Sequence, residues 1–197
     1  MPTVRSVAVY CASSSAVPEE FLDLAADTGA AIAAQRWRLV YGGASIGMMG
    51  ACAEAAIASG GDVLGVITRD LVSMEVAHEG LPELRVVDSM HERKLVMTDA
   101  CDAFLVLPGG FGTLDEAFEA ITWKQLGAHA KPIVVLNHAG FYDGLLAFLE
   151  SASNQRFIRP EGLRLFEVAN SVASAVRLLR TATPSPPLPN KWWRREP

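Results

Sequence analysis

An apolar run that ends in glycines and passes straight into helical periodicity is compatible with few folds, and residues 103–126 form such a run. Ala103-Phe104-Leu105-Val106-Leu107 carries no polar side chain, as a strand buried on both faces requires. Pro108-Gly109-Gly110-Phe111-Gly112-Thr113 follows, and then Ala117, Phe118, Ile121 and Leu126 recur at roughly helical spacing. Glycines at a strand-to-helix junction permit a sharp turn and leave no side chain between backbone N–H groups and a ligand. The helix N-terminus beyond them offers free N–H donors and a partial positive charge, a combination that favours phosphate. Thr113 and Glu116 also have the three-residue spacing of a capping box, which is purely structural. The spacing alone does not choose between these two readings.

The same alternation runs through the chain. Val7-Ala8-Val9-Tyr10 reads as a first strand, Cys11-Ala12-Ser13-Ser14-Ser15 as the turn after it, and a helix begins at Pro18. Leu39-Val40-Tyr41 is a second strand. The turn Gly42-Gly43-Ala44-Ser45-Ile46-Gly47-Met48-Met49-Gly50 then opens a small-residue helix from Ala51 to Ser59, which Gly60-Gly61 ends. Val63 to Ile67 and Leu84 to Val87 are the third and fourth strands, with an irregular stretch from Leu71 to Pro82 between them. Ser89-Met90-His91-Glu92 is a capping box that starts a helix running to about Cys101. Pro132 to Leu136, a helix capped by Asp143, a strand at Leu165 to Val168 and a last helix through Val172, Val176 and Leu179 complete the set.

Strands alternating with helices predict an α/β fold: a single doubly wound, Rossmann-like domain over residues 1–182, its sheet mostly parallel, with helices on both faces. Ligands of such sheets bind beyond the carboxyl ends of the strands. Ser14, the Gly42 to Gly50 turn, Arg93 with Lys94, and Gly109 to Glu116 all fall there. Residues 183–197 read as a proline-rich tail, Thr183-Pro184-Ser185-Pro186-Pro187-Leu188-Pro189 followed by Lys191-Trp192-Trp193-Arg194-Arg195, either solvated or docked.

The balance of 17 basic against 22 acidic residues, a net charge of −5, argues against a nucleic-acid partner. It leaves room for a small anion in a locally positive pocket. No apolar run is long enough to span a bilayer, and the first residues carry no apolar signal core. Cys11, Cys52 and Cys101 are widely spaced and odd in number, which suits reduced thiols in the cytoplasm better than a disulfide or zinc framework.

Gly43, Gly47 and Gly50 match no established nucleotide loop. The first gap is too long for the dinucleotide fingerprint, Asp62 precedes the third strand instead of ending it, and the Gly-Lys-Ser/Thr of a Walker loop is absent. Close helix packing and phosphate contact both remain open for Gly43 and Gly47. Arg93 and Lys94 stand in the first turns of a helix, unfavourably placed for its dipole. Either they are solvated, or an anion or carboxylate compensates them. His78, His91, Glu92 and His129 make no convincing metal-ligand cluster, and no metal is expected.

Pro108-Gly109-Gly110-Phe111-Gly112-Thr113-Leu114-Asp115-Glu116 resembles the PGGxGTxxE signature of the LOG ("Lonely Guy") family, also catalogued as lysine decarboxylases. Met90-His91-Glu92-Arg93-Lys94 is similar to that family's second motif, Tyr41-Gly42-Gly43 and Ile121-Thr122-Trp123 match as well, and the resemblance covers about residues 4–180. It implies hydrolysis of the N-glycosidic bond of nucleoside 5′-monophosphates, AMP or N6-modified cytokinin ribotides, to free base and ribose 5-phosphate, with no cofactor. It assigns Arg93 and Glu116 to catalysis. Lys94, Gly110, Phe111, Gly112 and Thr113 match the substrate-binding stretch, and Glu75 and Thr122 two further contacts. A homodimer is implied too, and Phe118, Ile121, Trp123 and Leu126 spread around the central helix as a doubly buried helix requires. The decarboxylase label would instead need a lysine to hold pyridoxal phosphate, for which only Lys94 lies on the ligand rim. A carrier of nucleotide or molybdenum cofactor is the non-catalytic alternative.

Overall fold

The computed structural model describes residues 4–74, 77–78 and 80–183. Among these, seven strands form one sheet: β1 (Ser6–Tyr10), β2 (Arg38–Tyr41), β3 (Val63–Thr68), β4 (Glu83–Val87), β5 (Ala103–Val106), β6 (Ile133–Leu136) and β7 (Glu167–Ala169). The strand order is β4-β3-β2-β1-β5-β6-β7, and every neighbouring pair is parallel. The expected doubly wound α/β architecture is therefore present, with a sheet parallel throughout.

The helices are α1 (Glu19–Ala34), α2 (Gly47–Ala58), the short α3 (Arg69–Ser73), α4 (Met90–Ala100), α5 (Phe111–Leu126), α6 (Asp143–Asn154) and α7 (Val172–Thr181). Alternation along the strands sorts them into two layers. Val7, Val9 and Cys11 face one side of the sheet and pack with Leu24, Ile32, Met48, Cys52 and Leu179 of α1, α2 and α7. Ala8 and Tyr10 face the other and pack with Met97, Ala117, Ala120 and Tyr142. The central strands β1, β2, β3, β5 and β6 are buried almost end to end, which is why they read as unbroken apolar runs. No helix of the described residues is long and apolar enough to cross a membrane. Cys11, Cys52 and Cys101 are free and buried.

Several boundaries differ from the sequence expectation. α2 begins at Gly47, four residues early, because much of the glycine-rich stretch is itself the first helical turn. β7 starts at Glu167, since residues up to Arg164 form a short 3-10 turn. Asp143 is the first residue of α6 and not its cap: its Oδ1 accepts from Asn137 Nδ2 at 2.7 Å. Ser89 does cap α4, accepting from the Glu92 N–H at 3.1 Å, but Glu92 reaches back to the Asp88 N–H and not to Ser89. Gly60, at φ +73°, ends α2 as expected, with Gly61 N–H bonded to the Ala56 carbonyl. The tail beyond Thr183 lies outside the described residues.

Candidate active site

A cleft of about 370 Å³ opens at the carboxyl ends of β1, β2 and β5. The strand order reverses between β1 and β5, the position at which open α/β sheets take their ligands. Its walls are Ser13 and Ser14 after β1, Gly42 and Ala44 after β2, Met90 and Arg93 of α4, and Gly110, Phe111, Gly112, Thr113, Asp115 and Glu116 at the start of α5. The loop after β1 holds the two glycine-rich turns together. Ala12 N–H donates to the Pro108 carbonyl at 3.2 Å, and Met49 N–H donates to the Ala12 carbonyl at 3.3 Å. Behind the central turn, the Tyr142 hydroxyl donates to the Leu107 carbonyl at 2.7 Å and secures the end of the strand.

The helix starts carry an electrostatic asymmetry. Among the described helices of eight residues or more, α4 and α7 have a serine cap, and α1 and α6 have acidic side chains in the first turn. Only α2 and α5 have neither, and these two begin at the cleft. Their first-turn N–H groups and positive dipole ends are thus left uncompensated by side chains. The other long helices of the described residues have such a cap or acid, and its omission here suits an anion.

α5 starts at Phe111 with Gly110 as its N-cap and no side-chain cap. Thr113 is therefore the third helical residue and Glu116 the sixth, so the capping-box reading of this pair fails. Both side chains are buried instead, Thr113 4% and Glu116 5% exposed. Burial pushes the Glu116 carboxyl up to about 7; Arg93 and Lys94 act against that rise, while Asp115 and Glu119 add to it. A carboxyl that changes charge near neutrality inside a cleft is suited to proton transfer.

Arg93 is buried to the same degree and is not solvated. Nε donates to the Val66 carbonyl at 2.9 Å and Nη2 to the Gly42 carbonyl at 3.0 Å, tying the guanidinium to β3 and to the turn after β2. Nη1 is left facing Glu116 Oε1 at 3.7 Å. A Cβ on residue 42 would fall 2.0 Å from Nη2, so only glycine leaves room for this arrangement. The sequence signal for Gly42 is its place in Tyr41-Gly42-Gly43. Asp115, inside the central motif, and Met90, beside Arg93, also line the cleft, and their place within the two motifs is the sequence signal for them.

The remaining expected residues fall around this centre. Gly43, at φ +74°, turns the chain away from β2 against Ile67 and Leu84. Gly47 lets α2 approach the Ser13–Ser14 backbone, where a Cβ would come within 2.5 Å of the Ser14 carbonyl oxygen. Gly109 makes room for Thr113 in the same way. These three shape the cleft without lining it. Lys94 Nζ lies 3.1 Å from both Asp115 Oδ2 and Glu119 Oε2. Thr122 lies further along α5, in an open hollow of about 560 Å³ with Phe118 and Trp123. Glu75 lies outside the described residues. Among the described residues no lysine lines the cleft, so none of them offers pyridoxal phosphate a Schiff-base partner there. Among the described residues no three His, Cys, Asp or Glu side chains gather as a metal site.

Residues 49–179 match the family model described as "Possible lysine decarboxylase". A probable cytokinin riboside 5′-monophosphate phosphoribohydrolase of Oryza sativa subsp. japonica is 47% identical over 180 residues, covering 91% of this chain and 79% of the relative. A cytokinin riboside 5′-monophosphate phosphoribohydrolase of Mycobacterium tuberculosis is 48% identical over 172 residues, 87% of this chain and 91% of the relative. Among solved structures, the molybdenum cofactor carrier protein of Chlamydomonas reinhardtii superposes with a TM-score of 0.67 at 22% identity, over 88% of this chain and 94% of that one, a likeness of fold. With the family model spanning most of the chain and relatives this close over nearly all of it, the chain belongs to the LOG family, catalogued as possible lysine decarboxylases.

Proposed function

We propose that this protein hydrolyses the N-glycosidic bond of adenosine 5′-monophosphates, including N6-modified cytokinin ribotides, releasing free base and ribose 5-phosphate. The observation that carries the reading is a buried carboxylate, Glu116, facing the buried Arg93 beside two uncapped helix N-termini in one cleft. The names of the relatives point the same way. The 5′-phosphate sits on the N–H groups of α5 and α2, with Ser14 and Thr113 at hand. That leaves the ribose beside Glu116.

Cleaving the bond between C1′ and the base nitrogen develops positive charge on the ribose, an oxocarbenium-like transition state. Ionised Glu116 stabilises that charge and takes the proton of the attacking water as its oxygen bonds to C1′. The bonding pair leaves with the base, which takes a proton at nitrogen from solvent water, and Glu116 then returns its proton to solvent. Arg93, fixed by two backbone carbonyls, keeps Glu116 oriented and holds its pKa down. A cofactor carrier has no use for a carboxylate placed this way.

We further propose a homodimer built on the exposed face of α5, and residence in the cytoplasm, where the three buried thiols stay reduced. The direct test incubates the protein with AMP and with isopentenyladenosine monophosphate and assays ribose 5-phosphate and free base. Stoichiometric release of both products is expected. Release from neither nucleotide overturns the reading.

A further inference from the structure

Lys94 matches a substrate-binding position by resemblance, yet its ammonium is engaged by two carboxylates of α5. Nζ lies 3.1 Å from Asp115 Oδ2, to which it donates a hydrogen bond, and 3.1 Å from Glu119 Oε2. The side chain is only 13% exposed and does not line the cleft. Asp115 and Glu119 are the carboxylates nearest to Glu116 along α5, one residue before it and three after. Three carboxylates within five residues of one helix repel one another, and the one that is buried responds most strongly.

We propose that Lys94 is a positioning residue for Glu116: a single ammonium from α4 clamps the two carboxylates that flank Glu116 on α5 and offsets their negative charge beside it. This rests on Glu116 being the carboxylate of the reaction. Arg93 and Lys94 of α4 and Asp115 and Glu119 of α5 itself are the charged groups acting on Glu116. From β1 and the residue after it, Tyr10 and Cys11 also feel Glu116, but burial raises both well above their ordinary range and keeps them neutral. Among the described residues only Lys94 touches both flanking carboxylates. Burial acts to lower the pKa of Lys94, but the hydrogen bonds to Asp115 and Glu119 outweigh it and the net shift is upward, so it stays charged throughout the working range.

The test is Lys94→Met. A ¹³C carboxyl titration, with Glu116→Gln used to assign the resonance, reads Glu116 without requiring turnover. Its midpoint is expected to rise by about half a pH unit or more. In parallel, the acid limb of kcat/KM for AMP moves up by the same amount. At pH 6, kcat falls about threefold, while KM changes less than about twofold. Lys94→Arg retains the charge and restores the wild-type limb. Asp115→Asn with Glu119→Gln, in an otherwise wild-type chain, moves the midpoint down, so the proposal stays testable even if Lys94→Met fails to fold. An unmoved midpoint in a folded variant overturns the proposal, as does a tenfold rise in KM with the limb in place, which would make Lys94 a phosphate ligand. A moved midpoint in a protein that hydrolyses no nucleotide defeats the proposed function and leaves the Lys94 coupling standing.

Discussion

Glu116 costs the folded protein stability, and that cost has a sign that can be measured. Its pKa rises from an ordinary 4.5 to about 7 in the fold, so between those values the folded state binds more protons than the unfolded chain. Stability from this group is then greatest below about pH 4.5, declines as the pH rises towards 7, and does not return above it. Glutamine carries no such proton. The melting temperature of Glu116→Gln relative to wild type should therefore climb by a few degrees between pH 5 and pH 8. At pH 8, where wild-type Glu116 is mostly ionised, kcat for AMP should be about 100-fold or more below wild type, the scale seen when one preorganised electrostatic group is lost, and the gap should narrow towards pH 5. Wild-type kcat/KM should rise with pH through about 7, because the ionised form does the work. A flat difference in melting temperature, or near-normal turnover, removes Glu116 from the centre of the mechanism. Loss of a helix cap cannot mimic these results, since Gly110 occupies the cap position.

The N-terminus of α5 makes a prediction in which stability and binding move in opposite directions. A Cβ on residue 112 meets nothing within 4 Å, so Gly112→Asp fits without steric cost. An acidic side chain in a helix's first turn stabilises it by about 0.3–1 kcal/mol. The same charge repels a phosphate bound at those N–H groups, and AMP affinity should drop about tenfold or more while the melting temperature holds or rises. Calorimetric titration beside a thermal melt reads both; unchanged affinity would mean that no phosphate sits there. Adenosine, lacking the phosphate, should be a far poorer substrate than AMP. At this scale the sequence was readable wherever a rule acts locally. Buried parallel strands appear as apolar runs, and Gly60-Gly61 ends α2 as its wording says. The start of α2 was not readable, because glycine's poor helix propensity is overridden by the close approach of Gly47 to the Ser13–Ser14 backbone. Nor could the burial of Arg93 be seen: its partners Gly42 and Val66 lie 51 and 27 residues away, just after β2 and within β3.

At the scale of the whole molecule, α5 has one face committed to the sheet and another that none of the described residues covers. Ala117 and Ala120 pack into the core, whereas Phe111 is 94% exposed and Leu126 50%. Between them Leu114, Phe118 and Trp123 line an open hollow that also contains Thr122. Aromatic side chains around such a hollow are the usual centre of a protein–protein interface. In the proposed homodimer, a second copy laid across this face would cover Phe111 at the mouth of the cleft and so couple association to catalysis through one residue. Light scattering at micromolar concentration should therefore give twice the 21.1 kDa of the chain. Phe118→Asp, which puts a charge into the hollow, should shift the protein towards monomer. Specific activity of that variant should fall and then recover as protein concentration is raised, while the wild type stays constant over the same range. A monomeric wild type, or a monomeric Phe118→Asp with full activity at every concentration, would show that each cleft is complete within a single chain.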